Sequence, residues 1–195
     1  MTHDPTQLPR HLPRPDDDGA ARHLTGERMP KVKLPSTAGG LVPVDAVQEG
    51  FDRLVVYAYP LTGRPGVAVP DGWDEIPGAR GCTPESCGFR DHAADLAAAG
   101  AAVVGVSTQS TGYQSEAVER LRLPFPLLSD RELRLAGALS LPTMRVDIRN
   151  ADGGGTQTLL KRLTLVVCGG EIEHVFYPVF PPDGHSEEVL AWVRR

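Results

Sequence analysis

Two short apolar runs constrain most of what this chain can become. Arg53–Pro60 reads RLVVYAYP and Ala101–Thr108 reads AAVVGVST. Both are continuous and rich in β-formers, the pattern of central strands buried on both faces. Between them TPESCGFRDHAADLAAAG has the marks of a helix, with Thr83 as cap, Pro84 in the first helical position, Glu85 in the first turn and Gly100 as the stop. Phe89, Ala93, Leu96 and Ala97 fall on one stripe of it. Upstream, KVKLPSTAGGLVPVDAV alternates around a Gly-Gly turn and predicts a hairpin. Downstream, YQSEAVERLRL and RELRLAGAL predict helices on either side of a short strand in PFPLLSD. Residues 143–180 predict two hairpins, turning at Asp152–Gly155 and Cys168–Gly170. SEEVLAWVRR closes the chain as a helix capped by Asp183 or Ser186. A βαβ half followed by a ββα half is an α/β sandwich with a mixed central β-sheet flanked by helices.

The 195 residues suffice for one sizeable domain with an ordered or flexible tail. Residues 1–28, rich in Pro, Asp, Arg and His, predict a tail, and residues 29–195 the domain. Residues 61–81 are dense in proline and glycine and form a loop insertion, a length that in a compact domain usually serves function. Net charge is −5, which offers no basic face to nucleic acid or anionic membrane. The N-terminus has no apolar core of a secretory signal, and no run approaches a membrane span, so the expected compartment is the cytoplasm. The glycines at 153–155 precede no Lys-Ser/Thr and fit a turn better than a phosphate loop.

Within GARGCTPESCGFRD, Cys82 and Cys87 stand five positions apart at the entry to the predicted helix. The chain has three cysteines, and in a reducing compartment an odd count argues against a structural disulfide framework. A metal site lacks a second close pair of ligands. A thiol at a helix N-terminus meets unpaired N–H groups and the positive end of the dipole, which lowers its pKa and favours the nucleophilic thiolate. Five residues of helix separate two side chains by about 7.5 Å of rise and roughly 140° of rotation. A disulfide needs Cα atoms within about 7 Å, so Cys82 and Cys87 can bridge only if the first turns unwind. The alternative is a pair of buried helix cysteines that never react.

GCTPESCGFRD resembles the active-site segment of the peroxiredoxins, most closely the bacterioferritin-comigratory (Q-type) subfamily of the AhpC-TSA superfamily, which carries Gly-Cys-Thr-x-Glu-x-Cys-x-Phe-Arg-Asp after a Tyr-Pro strand end. Further segments match in order, from LPSTAGG and VVYAYP through GVSTQS, LPFPLLSD and KRLTLVVCGGEIEHVF to HSEEVLAWV. The resemblance implies a thioredoxin-like fold. It implies a thiol peroxidase in which Cys82 attacks a peroxide and Cys87 resolves the sulfenic acid, with Glu85 and Arg162 poising the site. It implies no metal or organic cofactor, a peroxide substrate, and a thioredoxin-like or other dithiol reductant, in a monomer or homodimer. Periodicity alone would make Arg162 an edge-strand surface residue.

The pattern breaks in one place. Peroxiredoxins present Pro-x-x-x-Thr/Ser-x-x-Cys, whereas here the hydroxyl position is Ala79 and the proline position Glu75. One account has Pro60 and Thr62, in YPLTGRPG, fold back to supply the missing groups. The other has an altered site, serving a thiol–disulfide oxidoreductase or a biosynthetic redox enzyme. A non-catalytic redox sensor also stays open. Trp73, flanked by Asp71, Asp74 and Glu75, is a candidate lid over a substrate pocket; Thr62, Pro60 and Thr83 are the other candidate substrate contacts. Cys168, at a predicted turn, is expected to be a bystander. His92, His174 and His185 have no matched role.

Overall fold

The computed structural model describes residues 7–9, 11–148 and 155–195. A first hairpin, β1 (Lys33–Pro35) and β2 (Leu41–Pro43), precedes β3 (Arg53–Ala58). After residues 61–81 come α1 (Cys82–Asp91), α2 (Ala93–Ala98), β4 (Ala101–Ser107), α3 (Thr111–Leu121), β5 (Leu127–Ser129) and α4 (Arg134–Leu139). The rest is β6 (Thr143–Ile148), β7 (Gly155–Leu160), β8 (Leu163–Cys168), β9 (Glu171–Phe176) and α5 (His185–Val193). Five strands form the central sheet in the order β5-β4-β3-β8-β9. β3, β4 and β5 run parallel, while β8 and β9 join antiparallel. The sheet is mixed and helices flank it, in keeping with the predicted α/β sandwich. No helix among the described residues is long and apolar enough to cross a membrane.

The two apolar runs that predicted central strands do lie at its centre. Leu54, Val56 and Ala58 of β3 face one layer with Ala102, Val104 and Val106 of β4. Val55 and Tyr57 face the other with Val103. α4 and the β1–β2 hairpin cover the first layer through Leu135 and Leu34. α1, α2, α3 and α5 cover the second through Phe89, Leu96, Leu121 and Val189. Each such valine, leucine or phenylalanine stabilises the fold by about 1.5–3 kcal/mol on burial. The β6–β7 hairpin stands apart from the main sheet and packs Val146, Ile148 and Leu159 against Leu61, Trp73 and Ala79. The turn predicted at Asp152–Gly155 falls largely outside the described residues, with only Gly155, the first residue of β7, inside.

Local readings shift at three points. Gly81, not Thr83, occupies the N-cap of α1; Thr83 is buried inside the first turn, because Gly81 holds a left-handed φ of 107° that starts the helix two residues earlier. The single predicted helix breaks at His92, whose φ of −99° and ψ of 5° leave the helical region. Its Nδ1 lies 3.1 Å from both the Gly88 carbonyl oxygen and Ser186 Oγ, which ties the break to α5. Gly184 precedes α5, so neither Asp183 nor Ser186 caps it; Ser186 is spent on His92. The N-terminal segment, read as tail from composition, places Ala21 and Leu24 in the core and lays Asp18 on Lys161 and Tyr177.

Gly81 is fixed by space as well as by angle. A Cβ there would sit 2.3 Å from Pro182 Cγ and 3.1 Å from Leu8 Cδ2. Gly81→Ala is therefore expected to destabilise the protein by about 1–3 kcal/mol, the usual range for overpacking, in urea unfolding, and to slow any reaction of the neighbouring Cys82.

Candidate active site

The register of the sheet assembles the site. Ala58 of β3 stands opposite Leu163 of β8. The chain leaving β3 through Pro60 and Leu61 thus meets Arg162, the residue before β8, at the same sheet end. α1 starts there, with Cys82 as its first residue and Glu85 one turn later. The Leu61 N–H points at Cys82 Sγ from 3.4 Å, and Arg162 Nη2 donates to it from 3.2 Å. Arg162 Nη1 donates to Glu85, and Nη2 also approaches the carbonyls of Ala79 and Arg80 at 3.3 and 3.2 Å. Cys82, Glu85 and Arg162 are all buried. Arg162 is no surface residue: a guanidinium this deep needs anionic partners, and it has two candidates.

One cation thus serves two acids. Burial pushes the Cys82 thiol above its ordinary value and the Glu85 charge adds to this, while Arg162 and the Leu61 N–H pull it down. Burial likewise raises the Glu85 carboxyl, with Arg162 and then His185 opposing. The helix N-terminus alone predicts a lowered thiol; the enclosed site reverses that direction, because burial outweighs the pull of Arg162 and the Leu61 N–H, and the Glu85 charge adds to the rise. Glu85→Gln removes the competing charge and leaves Arg162 to the thiolate. The midpoint of Cys82 alkylation by iodoacetamide is expected to move to lower pH in that variant, and an unmoved midpoint would show that the two acids are not coupled.

The other sequence-predicted residues scatter. Cys87 is half-buried on α1, its thiol raised by burial with Arg90 the main opposing charge. All three cysteines are free, and Cys168 is exposed at the end of β8. Thr83 and Trp73 line a small cavity in front of Cys82. Thr62 does not supply the hydroxyl that Ala79 lacks, which corrects that account: its Oγ1 donates to Gln109 Oε1 at 2.9 Å, and its N–H does so at 3.0 Å. Pro60 is buried and does not line the cavity. The Ala79 methyl packs with Leu61 and Trp73. Sequence reasoning missed the Leu61 N–H, Gln109 and Val69. A backbone donor leaves no mark in residue type, and the buried Gln109 reads as an ordinary loop polar residue.

Comparison with known proteins agrees with this geometry. Residues 24–191 match the Redoxin family. Peroxiredoxin Bcp of Escherichia coli strain K12 is 29% identical over 87% of this chain and 95% of its own length. The chloroplastic peroxiredoxin Q of Oryza sativa subsp. japonica is 30% identical over 88% of this chain and 79% of its own. The crystal structure of peroxidoxin BcpB from Mycobacterium tuberculosis superposes with a TM-score of 0.66 at 26% identity, covering 88% of this chain and 97% of that one. With a buried cysteine at a helix start, a guanidinium on its sulfur and a second cysteine on the same helix, the chain belongs to the redoxin family and, within it, to the peroxiredoxins of the Bcp/Q kind.

Proposed function

We propose that this peroxiredoxin reduces peroxides through Cys82 as the peroxidatic nucleophile and Cys87 as the resolving thiol. The observation that carries the assignment is the approach of Arg162 Nη2 to Cys82 Sγ at 3.2 Å in a buried site. The Cys82 thiolate attacks the terminal oxygen of a hydroperoxide. The S–O bond forms and the O–O bond breaks. Sulfur is oxidised to the sulfenic acid, and the departing oxygen takes a proton and leaves as water or alcohol. Arg162 and the Leu61 N–H face the sulfur, so their positive ends lie where charge passes from sulfur to oxygen. The Cys87 thiol then attacks the sulfenic sulfur; the S–S bond forms and water leaves. A dithiol reductant of the thioredoxin kind reduces the disulfide by exchange and returns both thiols. A reducing compartment such as the cytoplasm suits that cycle.

Two further features support the order of events. The C-terminal half of α1 is anchored by Phe89 in the core and by Gly88 against α5, where a Cβ would lie 2.7 Å from Ser186 Oγ. The first turn has no side-chain cap. Unwinding to join Cys82 and Cys87 is therefore expected from the Cys82 end. The test is to mix reduced protein with one equivalent of hydrogen peroxide, follow tryptophan fluorescence by stopped flow and map disulfides by mass spectrometry. Trp73 lies beside Cys82 and reports on it. A fast phase that yields a Cys82–Cys87 bridge supports the assignment. Oxidation no faster than that of a free thiol overturns it.

A further inference from the structure

Resting on the peroxidase assignment, we infer that residues 61–81 form a fitted roof over Cys82 that selects hydrogen peroxide against bulky organic hydroperoxides, with Trp73 and Val69 setting the size limit. The cavity in front of Cys82 is lined, apart from Cys82 and Thr83 themselves, only by residues of this segment, chiefly Leu61, Val69, Trp73 and Arg80. It measures about 20 Å³. A single water needs about 10–15 Å³ by the same measure. Hydrogen peroxide, with two oxygens and no carbon, needs little more. An aryl or tertiary alkyl hydroperoxide cannot bring its terminal oxygen to the sulfur without displacing the roof.

The roof is built to resist displacement. Trp73 starts a short 3₁₀ turn, Trp73–Glu75, and is 3% exposed. Its ring packs in a cluster with Val146, Ile148 and Leu159 of the β6–β7 hairpin and with Leu61 and Ala79. Asp74 pairs with Arg80 at 3.2 Å and ties the turn to the residues just before Cys82. Leu61 is held from the other side, since the next residue, Thr62, is fixed on Gln109 through both its N–H and its hydroxyl. The Ala79 methyl belongs to the same contact: a hydroxyl there would enter an apolar cluster. The loss of the usual hydroxyl and the presence of the insertion are thus two sides of one arrangement. Polar groups remain on the sulfur side, and the bulk of Leu61, Val69 and Trp73, beside Arg80, closes the other.

The experiment compares wild type, Trp73→Ala and Val69→Ala in the full chain. It measures kcat/KM for hydrogen peroxide and for cumene hydroperoxide, by peroxide consumption with dithiothreitol as reductant. Wild type is expected to favour hydrogen peroxide by about tenfold or more, and Trp73→Ala to shift the ratio toward cumene hydroperoxide by about tenfold or more, within the usual reach of pocket shape. Circular dichroism checks folding, and Val69→Ala, a half-buried and smaller truncation, carries the same test should Trp73→Ala not fold. A wild type that reduces both peroxides alike, or variants that change both rates in parallel, would overturn the roof while leaving the peroxidase assignment intact. A wild type inert to both peroxides, with its thiols still alkylated normally, would overturn the assignment itself and the roof with it.

Discussion

Replacing Arg162 with methionine is expected to lower kcat/KM for hydrogen peroxide by about 10²–10³-fold, the usual effect of removing one donor from a preorganised charge-stabilising site. Methionine keeps the approximate volume and removes the charge. The reaction loses the group 3.2 Å from the sulfur. The same change strips the buried Glu85 of its cation, and breaking a buried pair from one side costs about 3–5 kcal/mol. The two effects separate by pH. Without Arg162, the folded-state pKa of Glu85 rises further above its unfolded value, because burial already raises it. Stability is then fully present below the unfolded carboxyl pKa, about 4.3, and is lost as pH rises through the folded value. Urea midpoints of Arg162→Met should therefore approach those of wild type near pH 4 and fall away toward neutrality. Equal deficits at both ends would mean that Arg162 acts by packing. Lysine would restore charge but not the forked geometry that reaches Glu85 and Cys82 together, so Arg162→Lys should recover only part of the rate.

The second large effect is expected from Cys87→Ser. The first turnover should proceed at wild-type speed, since Cys87 lies outside the group that contacts the Cys82 sulfur. Turnover with a thioredoxin-type reductant should fall to background after that, because no disulfide forms for it to exchange with. The sulfenic acid at Cys82 should accumulate and be captured by dimedone as a single adduct on mass spectrometry. Wild type oxidised by one equivalent should lose part of its far-UV helical signal as the first turns of α1 unwind, and Cys87→Ser should keep it. A Cys87→Ser enzyme that cycles normally would mean that the external thiol resolves Cys82 directly.

Much of the fold was legible in local sequence because its signals act over short range. The apolar runs at residues 53–60 and 101–108 need no partner to announce buried strands, and both lie at the centre of the sheet. The helix carrying Cys82 and Cys87 was visible in the sequence, although its cap is Gly81 and not Thr83. Its break at His92 was not, because the cause is a contact with Ser186 from the far end of the chain. The same limit made residues 1–28 read as tail: composition registers their charge and proline but not that Leu24 meets the core.

By itself the sequence determined which elements form and that a cysteine stands at the head of a helix, since propensity, capping and period are properties of neighbouring residues. Tertiary structure decided what surrounds that thiol. The antiparallel register of β3 and β8 carries Arg162 to Cys82 across 80 residues of chain. The exit from β3 turns the Leu61 N–H onto the sulfur and gives Thr62 to Gln109. The β6–β7 hairpin supplies the surface on which Trp73 rests. Even the direction of the thiol's pKa follows from this enclosure, because the burial that raises it against the pull of Arg162 is set only when distant segments close over the site.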